Sequence, residues 1–189
     1  MILGSLALLL LFVLPLWNIT LEAPQYPTPI GMNIHITKIA DTNPNDVKNI
    51  NLMNHYVGMK EIPEHLKEFE IFPIVVVVMT ILGVLVGIIG RHKLYLVWFI
   101  VMLLLGIAGM YDFYLWEYDY GHSLDPKAAI KFMNDDGTPM AYQPPLIGSK
   151  TILNFVAHSY PMSGAWAMIG GMGLSLIASF LGKREAKQQ

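Results

Sequence analysis

The residues best suited to chemistry in this sequence are a histidine and methionines in the amide-rich segment "NINLMNHYVGMKEI", residues 49–62. His55 and Met59 are four residues apart, which places both side chains on one face if the segment is helical. An imidazole nitrogen combined with a thioether sulfur suits copper better than magnesium or calcium. Because the chain has no cysteine, thiolate ligands, disulfides and thiol catalysis are excluded. We therefore predict His55 and Met59 as half of a copper site, with Met53 as core packing.

Further candidate ligands lie in the second polar part of the chain. In "DFYLWEYDYGH" Asp119 and His122 are three residues apart and share a face if this segment is helical. His158 lies near the far end of the same polar part of the chain. We predict His122, His158 and Asp119 as the other ligands of the metal site. The alternative is that the methionines fill gaps in the core and the histidines are hydrogen-bonded within it. None of these spacings is as specific as a paired C-x-x-C or an H-E-x-x-H helix.

Catalytic signatures are absent from the sequence. It contains no G-x-S-x-G elbow, no phosphate-binding glycine loop and no dinucleotide fingerprint. Asp112, Glu117 and Asp119 have the chemistry of an acid and a base, but carboxylates near a membrane interface usually cap helices or pair with lysines. We expect no catalytic residues, no organic cofactor and no enzyme activity.

The composition is that of a membrane protein. Of 189 residues 54% are hydrophobic and only 14% are charged, whereas about a quarter are charged in an ordinary soluble domain. The net charge of -2 and the absence of a basic run exclude nucleic acid as a partner and leave the lipid bilayer as the expected one.

Four segments are long and apolar enough to cross a bilayer, which takes about 20 residues. They predict a mainly α membrane protein with four transmembrane helices and a small α+β extracytoplasmic cap formed by two loops. The predicted boundaries are helix 1 over 1–17, loop 1 over 18–71, helix 2 over 72–90, a cytoplasmic turn over 91–93, helix 3 over 94–116, loop 2 over 117–160, helix 4 over 161–182 and a cytoplasmic tail over 183–189.

Charge sets the predicted orientation. The short connection "RHK" (91–93) and the tail "KREAKQQ" (183–189) are rich in lysine and arginine, which keeps such segments in the cytoplasm. The N-terminus is then also inside, and both large loops lie on the periplasmic side of a bacterial inner membrane. The alternative for residues 1–17 is a cleaved signal peptide, although this segment has no positively charged start.

The predicted spans carry signs of helix packing and few signs of transport. Small residues recur every four positions in helix 4, and helix 2 contains Gly83 and Gly87, a pattern that lets helices approach closely. No charge lies near the middle of a span, as an ion or proton pathway usually requires. The ridge of helix 4 consists of Ser163, Ala167, Gly171, Ser175 and Ser179.

The two loops contain predicted secondary structure. The alternation in "MNIHITKI" (32–39) predicts a strand, and the spacing of apolar residues over 45–59 predicts a helix with Asn45 as its N-cap. "EHLKEFE" (64–70) predicts a short amphipathic helix, and Asp125 with Pro126 predicts the start of another. The segment "TILNFVAHSY" (151–160) predicts one strand, and "NDDGTP" (134–139) a turn.

The segments "NITLEAPQYP", "NINLMNHYVGM", "GMYDFYLWEYDYGHSLDP" and "YQPPLIGSKTILNFVAHSYP" resemble a group of four-span bacterial membrane proteins, chiefly of Bacteroidetes, encoded beside nitrous-oxide reductase accessory genes. The resemblance covers almost the whole chain. It implies an integral membrane accessory protein that supports a periplasmic copper-dependent respiratory enzyme in denitrification. The implied partner is that copper enzyme or a copper-delivery lipoprotein, and the implied metal is copper.

Two other functions fit the same sequence. A structural or scaffolding subunit would hold a membrane complex together through the small-residue ridge of helix 4, without any metal. A small transporter or quinone-interacting protein would need a polar path into the helices, for which the sequence offers only Asp112.

Overall fold

The computed structural model describes residues 1–134 and 136–186, which form three long helices and one antiparallel sheet. Residues 187–189 of the predicted tail and Asp135 of the predicted turn lie outside the described residues. In chain order the elements are α1 (Ile2–Leu6) with a 3-10 continuation (Ala7–Phe12), β1 (Trp17–Glu22), β2 (Ile30–Ile34), β3 (Ile39–Asp41), α2 (Asp46–Val57), α3 (Glu68–Ile89), α4 (His92–His122), β4 (Gly148–Ile152), β5 (Phe155–Pro161) and α5 (Ser163–Glu185).

Helices α3, α4 and α5 are each long and apolar enough to cross a membrane. Their outward faces are apolar rather than charged, since large side chains such as Ile88, Leu104 and Phe180 are 60–71% exposed. Soluble proteins do not surround a bundle with apolar side chains in this way. The predicted spans over 72–90, 94–116 and 161–182 therefore coincide with helices of membrane-spanning composition.

The first apolar segment differs from its prediction as a transmembrane helix over 1–17. Its helical part is five residues of α-helix followed by six of 3-10 helix, which together span roughly 20 Å, short of the roughly 30 Å of a bilayer core. Pro15 disfavours helical backbone at Leu14, and Trp17 already belongs to β1. The segment packs between α3 and α5, where Leu8 and Leu11 are almost completely buried.

Small residues allow this close packing. The backbones of Gly4 and Gly171 are in contact, and a Cβ atom on Gly83 would clash with Ser5. Gly171, Ser175 and Ser179 of the predicted ridge are buried within the chain, while Ser163 is exposed and Ala167 is half-buried. The predicted packing role is confirmed for the buried members, and their partners are elements of the same chain.

The bundle has a cationic end and a sheet end. Ser179 Oγ donates a hydrogen bond to the carbonyl of His92 at 2.9 Å, so the end of α5 lies beside the α3–α4 turn. Ile2 lies against Gly87, which brings the N-terminus to the same end. The basic side chains of 91–93 and 183–184 thus gather at one end, and the sheet lies at the other.

Both predicted loops contribute to one sheet with the order β3-β2-β1-β5-β4. The two halves join where β1 pairs antiparallel with β5, for example Ile19 with Ser159. Alternate residues of a strand face opposite sides, so Ile19 and Met32 point to the apolar face, and Asn18 and Asn33 form a hydrogen bond on the polar face. The expected mixture of helix and sheet is therefore observed.

The predicted single strands are both hairpins. The chain turns after Ile34, so the strand predicted over 32–39 is the end of β2 and the start of β3. A second turn at Leu153, whose φ is +59°, divides the predicted strand over 151–160 into β4 and β5. Alternation of apolar residues continues across a tight turn, which is why the pattern did not reveal either one.

The predicted helices are confirmed only in part. Helix α2 begins where expected, but Asn45 has a φ of +69° and no side-chain capping bond, and Asp41 instead accepts a hydrogen bond from Val47 N–H at 2.7 Å. The segment 64–70 joins α3 from Glu68 onward and forms no separate helix. The predicted helix at Asp125 is a turn, in which Asp125 Oδ1 accepts the N–H of Lys127.

Candidate functional site

A cavity of about 250 Å³ lies between the apolar face of the sheet, α2 and the last turns of α4. Apolar and aromatic side chains make up most of its wall, among them Leu21, Ile50, Met53 and Phe155. Among the described residues that line it, no lysine, arginine, histidine or aspartate is present, and Glu117 is the single acidic side chain. An apolar cavity with few polar groups is typical of a small-molecule site.

Glu117 is completely buried beside this cavity. Its side chain is 0% exposed, and neither carboxyl oxygen has a hydrogen-bond partner among the described residues. A buried charge without a partner costs several kcal/mol, so the group stays protonated instead. Burial raises the pKa of Glu117 to about 8. At neutral pH the residue is therefore mainly a neutral carboxylic acid that has a proton to donate.

Glu117 lies in the part of α4 that extends beyond the apolar stretch. The 31 residues of α4 span roughly 46 Å, whereas a bilayer core is roughly 30 Å thick. The apolar stretch 94–116 is long enough to cross the bilayer core. Residues 117–122 extend beyond it toward the sheet β1–β5 and α2, which together are called the sheet module below. Lys60 Nζ donates to Asp119 Oδ2 at 2.6 Å there, and Tyr120 donates to the carbonyl of Glu61.

Two aromatic neighbours of Glu117 on α4 add polar atoms to a wall that also includes Gln25, Asn54, Tyr56 and Tyr142. The indole N–H of Trp116 is buried and has no acceptor among the described residues. The ring of Tyr120 lies beside the ring of Trp116, with centroids 4.5 Å apart and the planes tilted by 35°. The Tyr120 hydroxyl already donates to the carbonyl of Glu61. Burial raises the pKa of Tyr120 to about 12, which keeps this hydroxyl protonated. Trp116 and Glu117 are thus wall residues of the cavity, and their buried polar atoms have no hydrogen-bond partner among the described residues.

A second cavity of about 210 Å³ lies in the apolar bundle between α3, α4 and the N-terminal segment. Met102, Gly106 and Gly109 line it along α4, and Val75 and Met79 line it along α3. Strands β1 and β2 and helix α4 line both cavities, since β1 contributes Trp17 here and Ile19 to the first cavity, and β2 contributes Ile34 here and Met32 to the first cavity. The cavities therefore follow one another along α4.

An aromatic cluster separates the two cavities. The ring of Phe113 lies edge-to-face with Trp17, at 5.7 Å between centroids, and stacks on Trp116 at 6.1 Å. Trp17 is held by its indole N–H, which donates to Ser159 Oγ at 2.7 Å. Phe113 and Trp116 are half-buried, and the Trp116 indole lacks the hydrogen bond that holds Trp17.

The structure separates His55 from Met59. Helix α2 ends at Val57, and Gly58 turns the chain with a φ of +80°. The i, i+4 relation that suggested a shared face therefore does not hold, because Met59 is outside the helix. His55 is exposed, while Met59 lines the cavity together with Met53 and Met32. Met53, which the sequence predicts as core packing, thus lies at the candidate site, and His55 does not.

The other predicted ligands have partners of their own. His122 stacks on Tyr118, with centroids 4.0 Å apart, and its Nδ1 donates to the carbonyl of Tyr118 at 2.9 Å. Asp119 binds Lys60 and accepts the hydroxyl of Ser123, and both bonds lower the pKa of Asp119. The stacked histidine and the paired aspartate are exposed and line neither cavity.

His158 lies on the polar face of the sheet, opposite the cavity. Its Nδ1 is 2.6 Å from Ser149 Oγ, and its Nε2 is 3.2 Å from Glu22 Oε1 without hydrogen-bond geometry. The sheet therefore lies between His158 and Met59, and one ion would not contact both. Within residues 1–134 and 136–186 no three His, Asp or Glu side chains form a group suited to a metal. Copper binding by fewer ligands stays a prediction.

The sequence contained a partial signal for this site. Glu117 follows directly after the apolar stretch, and its carboxylate was interpreted as a helix cap or a lysine partner. The neighbouring Asp119 is the residue that pairs with a lysine, while Glu117, two positions earlier, points into the module. The cavity that Glu117 lines is formed by α2, the strands and the segment before β4, which come from distant parts of the chain, so local spacing does not predict it.

No protein-family model matches the chain, and comparison with curated proteins gives no match.

Proposed function

We propose that this protein is a membrane-embedded binding protein whose sheet module holds a small apolar molecule in the Glu117 cavity. The observation that supports the proposal is the completely buried, unpartnered carboxyl group in the wall of an apolar cavity. Leaving such a group without a partner costs about 1–3 kcal/mol, which a bound ligand with a hydrogen-bonding group would recover. A merely structural core would gain stability from an apolar residue at this position.

The proposed setting is a bacterial inner membrane. The cationic end of the bundle faces the cytoplasm by the positive-inside rule, and the sheet module with its cavity faces the periplasm. The cavity then lies close to the bilayer surface, because Glu117 follows the apolar stretch of α4 directly. Molecules that dissolve in the membrane reach such a position without crossing water.

The test is to fill the cavity from α2. Met53→Trp places a large side chain in the cavity wall, and Leu52→Trp places the same side chain on the outer face of the same helix, where Leu52 is 53% exposed. We expect native mass spectrometry of protein purified gently from membranes to show a bound small molecule in the wild type and in Leu52→Trp. Met53→Trp should lose it while keeping the same unfolding temperature to within a few degrees.

Equal ligand content in the wild type and in a folded Met53→Trp variant would contradict the proposal. So would a wild-type protein that carries no small molecule and gains none from a membrane-lipid extract. Met32→Phe, which enters the same cavity from β2, provides a second variant if Met53→Trp does not fold.

A second candidate function is that of the copper accessory protein implied by the family resemblance. Its support is that three thioether side chains, Met32, Met53 and Met59, line one cavity, and thioethers are ligands for Cu(I). We expect the double variant Met53→Leu/Met59→Leu to weaken Cu(I) binding, measured by competition with a chromophoric chelator, while His55→Ala leaves it unchanged. Equal affinity in all three proteins would eliminate copper binding at this cavity.

A further inference from the structure

We infer that the ligand of the Glu117 cavity is a neutral carbonyl-headed lipid of the quinone class, with its head beside Trp116 and Glu117 and its tail in the second cavity. This inference deepens the proposed function and depends on it. It assigns one occupant to two cavities that the same strands and the same helix line.

A single ligand that occupies both cavities is elongated and passes the aromatic cluster of Phe113 and Trp116. The Glu117 cavity, at about 250 Å³, is below the usual range of roughly 300–1,000 Å³ for drug-sized ligands, so it holds a ring but not a ring with a long tail. The second cavity adds about 210 Å³ within the apolar bundle. A hydrocarbon tail is the part of a ligand that matches this lining.

The two buried donors favour an acceptor on the head group. The indole N–H of Trp116 can only donate a hydrogen bond, and the neutral carboxyl group of Glu117 has one proton to donate. A carbonyl oxygen accepts from both types of donor. An ammonium head group would suit an ionised Glu117 but would leave the indole N–H unpaired.

The charge of the lining disfavours the common anionic lipids. A phosphate or carboxylate head group needs a cation or several donors, and the described residues of the wall include no lysine, arginine or histidine. Trp116, Tyr120, Tyr142 and Phe155 instead provide aromatic rings, which pack well against a flat conjugated ring.

The surroundings of Glu117 make binding sensitive to pH. The titratable side chains that share its cavity are Tyr56 of α2, Tyr120 of α4 and Tyr142 of the segment before β4, and the strands contribute none to the wall. Glu117 therefore titrates alone at moderate pH. Its pKa of about 8 predicts that a carbonyl ligand binds well below pH 8 and progressively less well above it.

The experiment measures binding of tritiated menaquinone with a short isoprenoid tail to the full chain in lipid nanodiscs, with empty nanodiscs subtracted. Glu117→Gln keeps a neutral donor and should keep the affinity within about threefold, now independent of pH. Glu117→Leu has no donor and should weaken binding about tenfold. An ammonium-headed lipid would show the opposite preference, with Glu117→Gln as damaging as Glu117→Leu.

The tail is tested by a matched pair of glycines. Gly109 lines the second cavity, and neither Gly109 nor Gly170 has any atom within 4 Å of an added Cβ. Gly109→Leu should lose the tailed menaquinone but keep menadione, the same ring without the tail, and Gly170→Leu should bind both like the wild type. Equal loss in both leucine variants, or none in Gly109→Leu, would overturn the assignment of the tail.

This test separates the two proposals. If wild-type protein carries a small molecule that Met53→Trp removes but binds no menaquinone, the quinone assignment is wrong and the proposed binding function stands. If no small molecule is carried and no quinone binds, both are wrong.

Discussion

At the scale of single residues, Glu117 and Asp119 show how two carboxylates on the same helix turn differ in chemistry. Asp119 is exposed and binds Lys60, which lowers the pKa of its side chain. Glu117 is buried without a partner, which raises its pKa to about 8. The sequence identifies both as candidate acids at the end of an apolar stretch, but the difference between them depends on tertiary packing, which buries Glu117 and leaves Asp119 exposed.

The raised pKa predicts a pH-dependent stability. Unfolded Glu117 loses its proton near its usual pKa of about 4.5, whereas the folded protein keeps it to about pH 8. The unfolded state therefore binds fewer protons between these values, so the free energy of unfolding should fall as pH rises from about 4.5 to 8 and level off above. The slope is at most about 1.4 kcal/mol per pH unit.

Chemical denaturation in detergent at pH 5, 6, 7 and 8 checks this, with Glu117→Gln as the reference because it cannot titrate. The wild type should lose stability relative to Glu117→Gln across this range. A constant difference between the two proteins would show that Glu117 is already ionised and solvated in the folded state.

At the scale of elements, the spacing of apolar residues predicts those helices and strands that depend on local sequence. It identifies the three long helices and the start of α2, because apolar spacing over many residues reflects the face that each helix buries. It misses the two hairpins, whose turns interrupt the alternation for only a few residues. It also overestimates the helical length of the first segment, because Pro15 and the strand at Trp17 limit the helix to Ile2–Phe12.

The packing of that first segment predicts the effect of adding one methyl group. Gly4→Ala places a Cβ against the carbonyl group of Gly171, where the neighbour is backbone and has little freedom to move. We expect destabilisation of about 2 kcal/mol, measured by thermal unfolding in detergent. Gly170→Ala is the control on α5, since its Cβ meets no atom within 4 Å and should leave stability unchanged or slightly raised. Equal stability of the two variants would contradict the close contact of the backbones.

At the scale of the whole molecule, the described structure brings both polar segments to one end and the basic residues of 91–93 and 183–184 to the other. The sequence predicts that two loops form a cap, and it leaves open whether they share a core. The pairing of β1 with β5 shows that they do. Such long-range pairing depends on contacts between residues about 140 positions apart, which no local pattern contains.

The proposed orientation is testable because the chain has no cysteine, so each introduced cysteine reports one position. Lys48→Cys and Lys127→Cys lie in the sheet module and should react with a membrane-impermeant maleimide in cells with a permeabilised outer membrane. Lys93→Cys and Lys183→Cys lie at the cationic end and should react only after lysis. Labelling of both pairs from the same side would rule out the proposed topology.

The most direct measurement of the central claim is infrared difference spectroscopy of the protein in nanodiscs at pH 7, with and without the tailed menaquinone. We expect a protonated carboxyl band that shifts when the ligand is added and is absent in Glu117→Gln, because the acid of Glu117 donates to the ligand carbonyl. A carboxyl band that the ligand leaves unchanged, or one that persists in Glu117→Gln, would contradict a ligand site built around this residue.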